Sequence, residues 1–206
     1  FINIINFFTI AKKITFFPYF LLFTLHNKKV VERLKLIMDQ NAKSLVKLLT
    51  QHKLTLATCE SLTSGKLAST ITTVPGASLV LKGGLVVYSN EAKVNLAQVS
   101  QLTVEKYGVV SAECAREMAR NIQQLLKADI AISLTGNAGP QAMEGKPVGL
   151  VFIGLAIREK LIVKSYRFSG SRLEVCQQVI DKAIKLIGDN CLLLIEQLEL
   201  ESISSL

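Results

Sequence analysis

A chain of 206 residues can bury a full core as one domain, and with 50% of its residues apolar it is not a disordered segment. Its two histidines, His26 and His52, argue against histidine triads and most zinc sites. The formal charge of +8 is lopsided: residues 1–37 carry +5 and the remaining 169 only +3, so the body of the chain is not a nucleic-acid-binding surface.

Residues 1–37 differ from everything after them. They hold seven of the nine phenylalanines and no glycine, and the first methionine is Met38. A secretory signal needs a basic start and a small-residue cleavage site, and neither is present. A membrane span needs about 20 unbroken apolar residues, whereas Lys12 and Lys13 split the run and Pro18 interrupts the rest. The expectation is an extension of translated upstream sequence with the natural start at Met38, a domain over residues 38–190, and a helical tail over 191–206.

From Asp39 the pattern turns regular. Ala42, Leu45, Val46 and Leu49 recur at helical spacing. His52 follows at the helix end and is expected to face solvent. Residues 54–60 alternate as a strand, which gives way at Glu60 to a hydroxyl-rich turn, Ser61-Leu62-Thr63-Ser64-Gly65, and a helix over 66–74. Pro75-Gly76 marks a turn, residues 83–88 a second strand, and residues 89–96 a helix capped by Ser89 or Asn90. A polar connection leads to Ser111, which caps a long helix with Ala115, Met118, Ala119, Ile122, Leu125 and Leu126 as its buried stripe. Residues 129–134 suit a buried strand and end in the small-residue turn TGNAGP. Residues 148–157 and 161–168 form an antiparallel hairpin, and Ser169-Gly170-Ser171-Arg172 opens a further helix, with a last helix after Gly188. The fold class is therefore α/β: a three-layer α/β/α sandwich around a mixed sheet.

The four cysteines, Cys59, Cys114, Cys176 and Cys191, show no metal-ligand spacing and read as small buried residues in a reducing compartment. No metal and no organic cofactor is expected. Three turns that follow strand ends, at 61–65, 135–140 and 169–172, would outline a pocket if they share one sheet edge. Backbone N–H groups and Arg172 at its rim would then suit a phosphate. TGNAGP lacks the lysine and spacing of a P-loop, and glycines in tight turns need no ligand to explain them. Tyr88 and Lys93 flank the end of the second strand. With no histidine near it, Ser61 has a neutral lysine as its available activator.

The segments ATCESLTSGKLAS, VPGASLVLKGGLVVYSNEAK, YGVVSAECAREMA, LTGNAGP, KPVGLVFIGL and FSGSR resemble, in order, the C-terminal domain of the competence/damage-inducible protein CinA. The resemblance runs from about residue 42 to about residue 187. It implies an amidohydrolase that converts nicotinamide mononucleotide to nicotinate mononucleotide and ammonia in pyridine-nucleotide salvage. Ser61 would be the nucleophile, Lys93 the base and Tyr88 an orienting group. Thr63, Ser64, Gly65, Ser89, Asn90, Thr135, Gly136, Gly139 and Arg172 would lie against the nucleotide. The implied setting is cytoplasmic, with a small-molecule substrate, no nucleic acid and no membrane; a homo-oligomer stays open. Two departures bear on the chemistry: the family's A-E-S-C-T-G-G is C-E-S-L-T-S-G here, with Ser64 in place of a glycine, and T-G-I-A-G-P is TGNAGP. Two rival readings remain: a non-catalytic nucleotide-binding or partner-binding module of the same fold, and an amidase using Cys59.

Overall fold

The computed structural model describes residues 41–204, so the expected extension over 1–37 and its Met38 start lie outside the described residues. The described elements begin with α1 (Ala42–Gln51), where the Asn41 side chain accepts the Ser44 N–H at 2.9 Å. They continue through β1 (Leu56–Glu60), α2 (Lys66–Thr72) and, after a short 3₁₀ turn, β2 (Leu81–Val86). Serine caps then open three helices: Ser89 for α3 (Asn90–Asn95), Ser100 for α4 (Gln101–Tyr107) and Ser111 for α5 (Ala112–Leu126). The chain closes with β3 (Ile130–Gly136), β4 (Leu150–Ile157), β5 (Lys160–Arg167) and α6 (Arg172–Ser204).

The strands form one mixed sheet in the order β2-β1-β3-β4-β5, with β2, β1 and β3 parallel and β4 and β5 antiparallel to their neighbours. The buried inner strands β1 and β3 expose almost nothing on either face, as a covered parallel sheet requires. Helix α5 covers one face, packing Met118, Ala119 and Ile122 against Ala57, Cys59, Ala131 and Ala156. It approaches so closely that a side chain at Gly154 would collide with the Ala115 carbonyl, and Ser133 donates to that carbonyl at 2.6 Å. The alternate residues Ile130, Ile132 and Leu134 turn to the other face, where α2 and α6 pack on the strands and α1 packs on both helices. The result is the expected three-layer α/β/α arrangement.

This topology decides where a site can form. The three parallel strands all end at one edge of the sheet. Because β4 runs back from that edge and β5 returns to it, the 61–65 turn, the start of α3, the 137–149 loop and the 168–172 turn are brought to the same place.

Two elements differ from the sequence reading. The connection expected to be merely polar contains α4, whose only fully buried side chain is Thr103 and whose Leu102 is exposed, so no apolar stripe announces it. The helix is instead held by Ser100 and by Glu117 of α5, whose carboxylate accepts from Ser100 N–H and from the Thr103 hydroxyl. After Gly188 no new helix starts, because α6 continues through it; Ile187, Cys191 and Ile195 form one buried stripe across that position. A mid-helix glycine costs roughly 1 kcal/mol, less than burying those three side chains returns.

Candidate active site

A cavity of about 440 Å³ opens at this sheet edge. Its walls come from Ser61 and Leu62 after β1, Tyr88, Asn90 and Lys93 around the start of α3, and Val109 and Val110 before α5. Thr135, Gly136 and the 137–143 stretch after β3, and Arg172 at the start of α6, complete it.

Ser61 stands immediately beyond β1. Its N–H bonds the Leu134 carbonyl at 2.9 Å, which extends the parallel pairing one residue past the strand and fixes the Ser61 backbone. The Ser64 N–H donates back to the Ser61 carbonyl at 3.1 Å and closes the turn. Ser64 holds φ +54 and Gly65 φ +87, so the left-handed region spans two residues where the sequence supplies only one glycine. Glu60, fully buried, folds its carboxylate under the turn and accepts the N–H groups of Leu67 at 3.1 Å and Ala68 at 2.9 Å. The first turn of α2, read from sequence as donors for a ligand, is therefore already bonded. Within the 61–65 turn, the N–H groups of Leu62, Thr63 and Gly65 have no acceptor among the described residues. Two of these directly follow Ser61, and of the two Leu62 lines the cavity.

Lys93 is 2% exposed. Ser89 caps α3 by accepting the Ala92 N–H at 3.0 Å and thereby sets the turn from which Lys93 projects inward. Its amine donates to the Val87 carbonyl at 3.0 Å rather than to the Ser61 hydroxyl. Burial pulls the Lys93 pKa down from the usual 10.5. The neighbouring thiols of Cys114 and Cys59 and the carboxylate of Glu144 oppose that shift. Both thiols are pushed up to about 12, mainly by burial, so at neutral pH they are uncharged and Glu144 supplies the countercharge. A buried lysine with one carbonyl acceptor and a depressed pKa has the electrostatics of a general base.

The remaining predicted residues divide. Asn90, Thr135, Gly136, Gly139 and Arg172 line the cavity with Ser61, Lys93 and Tyr88. Arg172 spans its rim, donating to the Gly139 carbonyl at 2.6 Å and to the Tyr88 hydroxyl at 2.5 Å. Thr135 turns its hydroxyl to the Val109 carbonyl at 2.6 Å. Thr63 is fully buried outside the cavity lining, its hydroxyl without a partner among the described residues. Ser64 and Gly65, in the turn itself, are outside the cavity lining, and Ser89 spends its hydroxyl on the cap. The added amide of TGNAGP is spent within its own loop: Asn137 accepts from Gly139 N–H at 3.0 Å and donates to the Lys146 carbonyl at 3.3 Å. Cys59 is fully buried, faces α5 and lies outside the cavity lining, and its raised pKa leaves no thiolate at neutral pH. The sequence reading missed Leu62, Val109, Val110 and Met143 as wall residues, because apolar residues before a helix cap give no signal of facing a cavity. All four cysteines are free and buried. Among the described residues no helix is long and apolar enough to cross a membrane.

The model of the CinA C-terminal domain family matches residues 38–191. A relative from Thermoanaerobacter pseudethanolicus carrying the name competence-damage inducible protein is 48% identical over 150 residues, covering 72% of this chain and 36% of that protein. A CinA-like protein from Flavobacterium psychrophilum is 42% identical over 142 residues, covering 68% and 34%. The chain thus spans about a third of the length of these curated relatives. Among solved structures, a CinA superfamily protein from Klebsiella pneumoniae matches with a TM-score of 0.70 at 32% identity, covering 73% of this chain and 98% of that one. One from Enterobacter cloacae matches with a TM-score of 0.71 at 29% identity, covering 73% and 92%.

Proposed function

The chain belongs to the CinA C-terminal domain family, and from that premise we propose that it is a cytoplasmic nicotinamide-nucleotide amidase, hydrolysing the carboxamide of nicotinamide mononucleotide to nicotinate mononucleotide and ammonia. The observation that carries this reading is the meeting, in one cavity, of a buried lysine whose pKa is lowered with a serine followed by Leu62, whose N–H is unbonded.

In this reading the neutral Lys93 amine keeps one N–H on the Val87 carbonyl, which leaves its lone pair free to turn toward Ser61. As the Ser61 oxygen bonds the carboxamide carbon, Lys93 takes the hydroxyl proton. The carbonyl oxygen becomes an oxyanion on the N–H of Leu62, the residue after Ser61 on the cavity wall, where such a donor is worth roughly 3 kcal/mol of barrier. Collapse breaks the carbon–nitrogen bond, and the proton on Lys93 leaves with ammonia. Water, deprotonated by the same lysine, then cleaves the acyl ester and frees Ser61. Arg172 is held by Tyr88 and Gly139 at the rim, which supports its assignment in this reading to the phosphate, with the pyridine ring directed inward.

The test is ammonia release from nicotinamide mononucleotide. Both Ser61→Ala and Lys93→Ala are expected to lower kcat by roughly 10³-fold or more while the fold persists. No release by the wild-type protein, or full activity in either variant, overturns the assignment. A second reading, a module that binds the nucleotide without turning it over, is favoured by one observation: the lysine amine is bonded to Val87 and not to Ser61. Calorimetric binding with no product formed would establish it.

A further inference from the structure

One acid next to the cavity wall takes no part in this chemistry, yet three donors converge on its carboxylate. Glu144 sits in the 137–149 loop at φ +54. Its carboxylate accepts the Val109 N–H at 2.9 Å and the Val110 N–H at 3.2 Å, about 35 residues earlier in the chain, and pairs with Lys146 at 3.1 Å. The Lys146 ammonium is itself fixed by the Tyr107 carbonyl at 2.6 Å. Gly108, at φ +77, leaves the space the carboxylate fills, since a Cβ there would collide with it. Two N–H groups, an ammonium and a missing side chain thus make a fitted cradle for a single carboxylate.

What the cradle joins is specific. Val109 and Val110 line the cavity from the α5 side, and Gln141 and Met143 line it from the loop that carries Glu144. The Val109 carbonyl is in turn held by Thr135 at the end of β3. Glu144 is therefore the tie between two cavity walls that otherwise belong to different elements, and its charge is felt at Lys93.

We propose that Glu144 is a positioning residue of this site, a clamp that closes the 141–147 loop against the 108–110 wall and fixes the cavity in which substrate meets Ser61 and Lys93. The catalytic half of this inference rests on the amidase reading; the clamp itself does not. Partial burial pushes the Glu144 carboxyl up, but the bonds from Val109, Val110 and Lys146 outweigh it and hold the acid below the usual glutamate range. Lys146 is the charged group facing Glu144. Lys93 faces Glu144 and the uncharged thiols of Cys114 on α5 and Cys59 on β1.

The experiment compares wild type, Glu144→Gln and Glu144→Ala in two readouts. In the first, the amide resonances of Val109 and Val110 are followed from pH 7 to pH 3. They are expected to move in wild type with an inflection below the ordinary glutamate value of about 4.3, and to stay flat in both variants. In the second, deamidation is measured against pH. Glu144→Ala is expected to lose roughly tenfold in kcat/KM with little change in melting temperature. Glu144→Gln keeps an acceptor oxygen but loses the charge, so its acid limb moves to lower pH because Lys93 gives up its proton more readily. Amides that titrate identically without Glu144, or an alanine variant with unchanged kcat/KM and acid limb, overturn the clamp. If wild type releases no ammonia from any nucleotide tried, the amidase reading falls, and the amide titration alone still decides the clamp.

Discussion

The connections that leave β1 and β3 start side by side at one sheet edge, both line the cavity, and both are tied down by a glutamate, yet they are built to opposite ends. After β1 the acid belongs to the strand: Glu60 is fully buried and caps α2 from inside, so the turn carrying Ser61 is anchored at both ends by interior bonds. After β3 the acid belongs to the loop. Glu144 keeps about a quarter of its side chain in solvent and reaches across to N–H groups of another segment. In the proposed amidase, the first arrangement fixes the nucleophile, which must not wander, and the second closes a wall that must let the nucleotide pass.

The largest test of that contrast removes each acid in turn. Glu60→Ala leaves the Leu67 and Ala68 N–H groups without acceptors in the interior and is expected to cost roughly 3 kcal/mol in urea unfolding, with deamidation lost as the Ser61 turn relaxes. Glu144→Ala removes a partly solvated carboxylate whose bonds are only part-buried, and is expected to cost less, about 1 kcal/mol. Equal losses at the two positions would abolish the distinction between a structural and a positioning carboxylate.

The same contrast governs what could be read from sequence. The turn after β1 was legible because its signals are local: alternation ending at Glu60, then three hydroxyls and a glycine before a helical run. The hairpin of β4 and β5 was legible for the same reason, its Arg158-Glu159 turn separating two apolar runs. Lys93 was found by motif, but its burial was not visible, since a lysine three residues into a short helix usually faces solvent. Thr63 and Ser89 belong to matching blocks, but one hydroxyl is enclosed and the other caps α3. Glu144 gave no signal, because its bonds join residues 35 and 34 positions apart and only the closed sheet brings them together. Helix α4 escaped because Glu117, a residue of α5, holds it rather than an apolar stripe of its own.

Lys93 lies where the two connections meet, and it offers a middle-sized effect with a defined sign. Lys93→Met removes a dehydrated amine that has one protein acceptor, and is expected to raise stability at pH 7 by about 1 kcal/mol while abolishing turnover. Because burial lowers the Lys93 pKa below 10.5, the unfolded chain holds that proton more tightly than the native one. Wild-type stability therefore gains from this residue as pH rises from the lowered value to 10.5, and the advantage of the methionine variant shrinks over that span. The buried thiols of Cys59, Cys114 and Cys191, pushed up from 9.0 to about 12, act oppositely and erode stability above pH 9. Lys93 pulls the Cys59 and Cys114 thiols down, so the two denaturation curves are compared below pH 9, where the thiols stay protonated in both proteins and the difference isolates the lysine. A methionine variant less stable than wild type at pH 7 would mean the amine is well satisfied where it sits, and its use as a base would lose its electrostatic basis.

The smallest effect tests how firmly the Ser61 turn is held. Ser64 stands where the family has glycine, and its φ of +54 lies in the left-handed region, which costs a residue with a Cβ roughly 1 kcal/mol. Replacing it with glycine relieves that strain but gives the unfolded chain comparable extra freedom, so Ser64→Gly is expected to change stability by less than about 0.5 kcal/mol. Catalysis should follow the backbone rather than the side chain. Serine already adopts the conformation that glycine would choose, and its N–H closes the turn on the Ser61 carbonyl at 3.1 Å, a bond the substitution leaves in place. The expected change in kcat is thus under about twofold. A tenfold rise would show that serine holds the turn away from its productive shape, and that the β1 connection, for all its interior bonds, is the adjustable one.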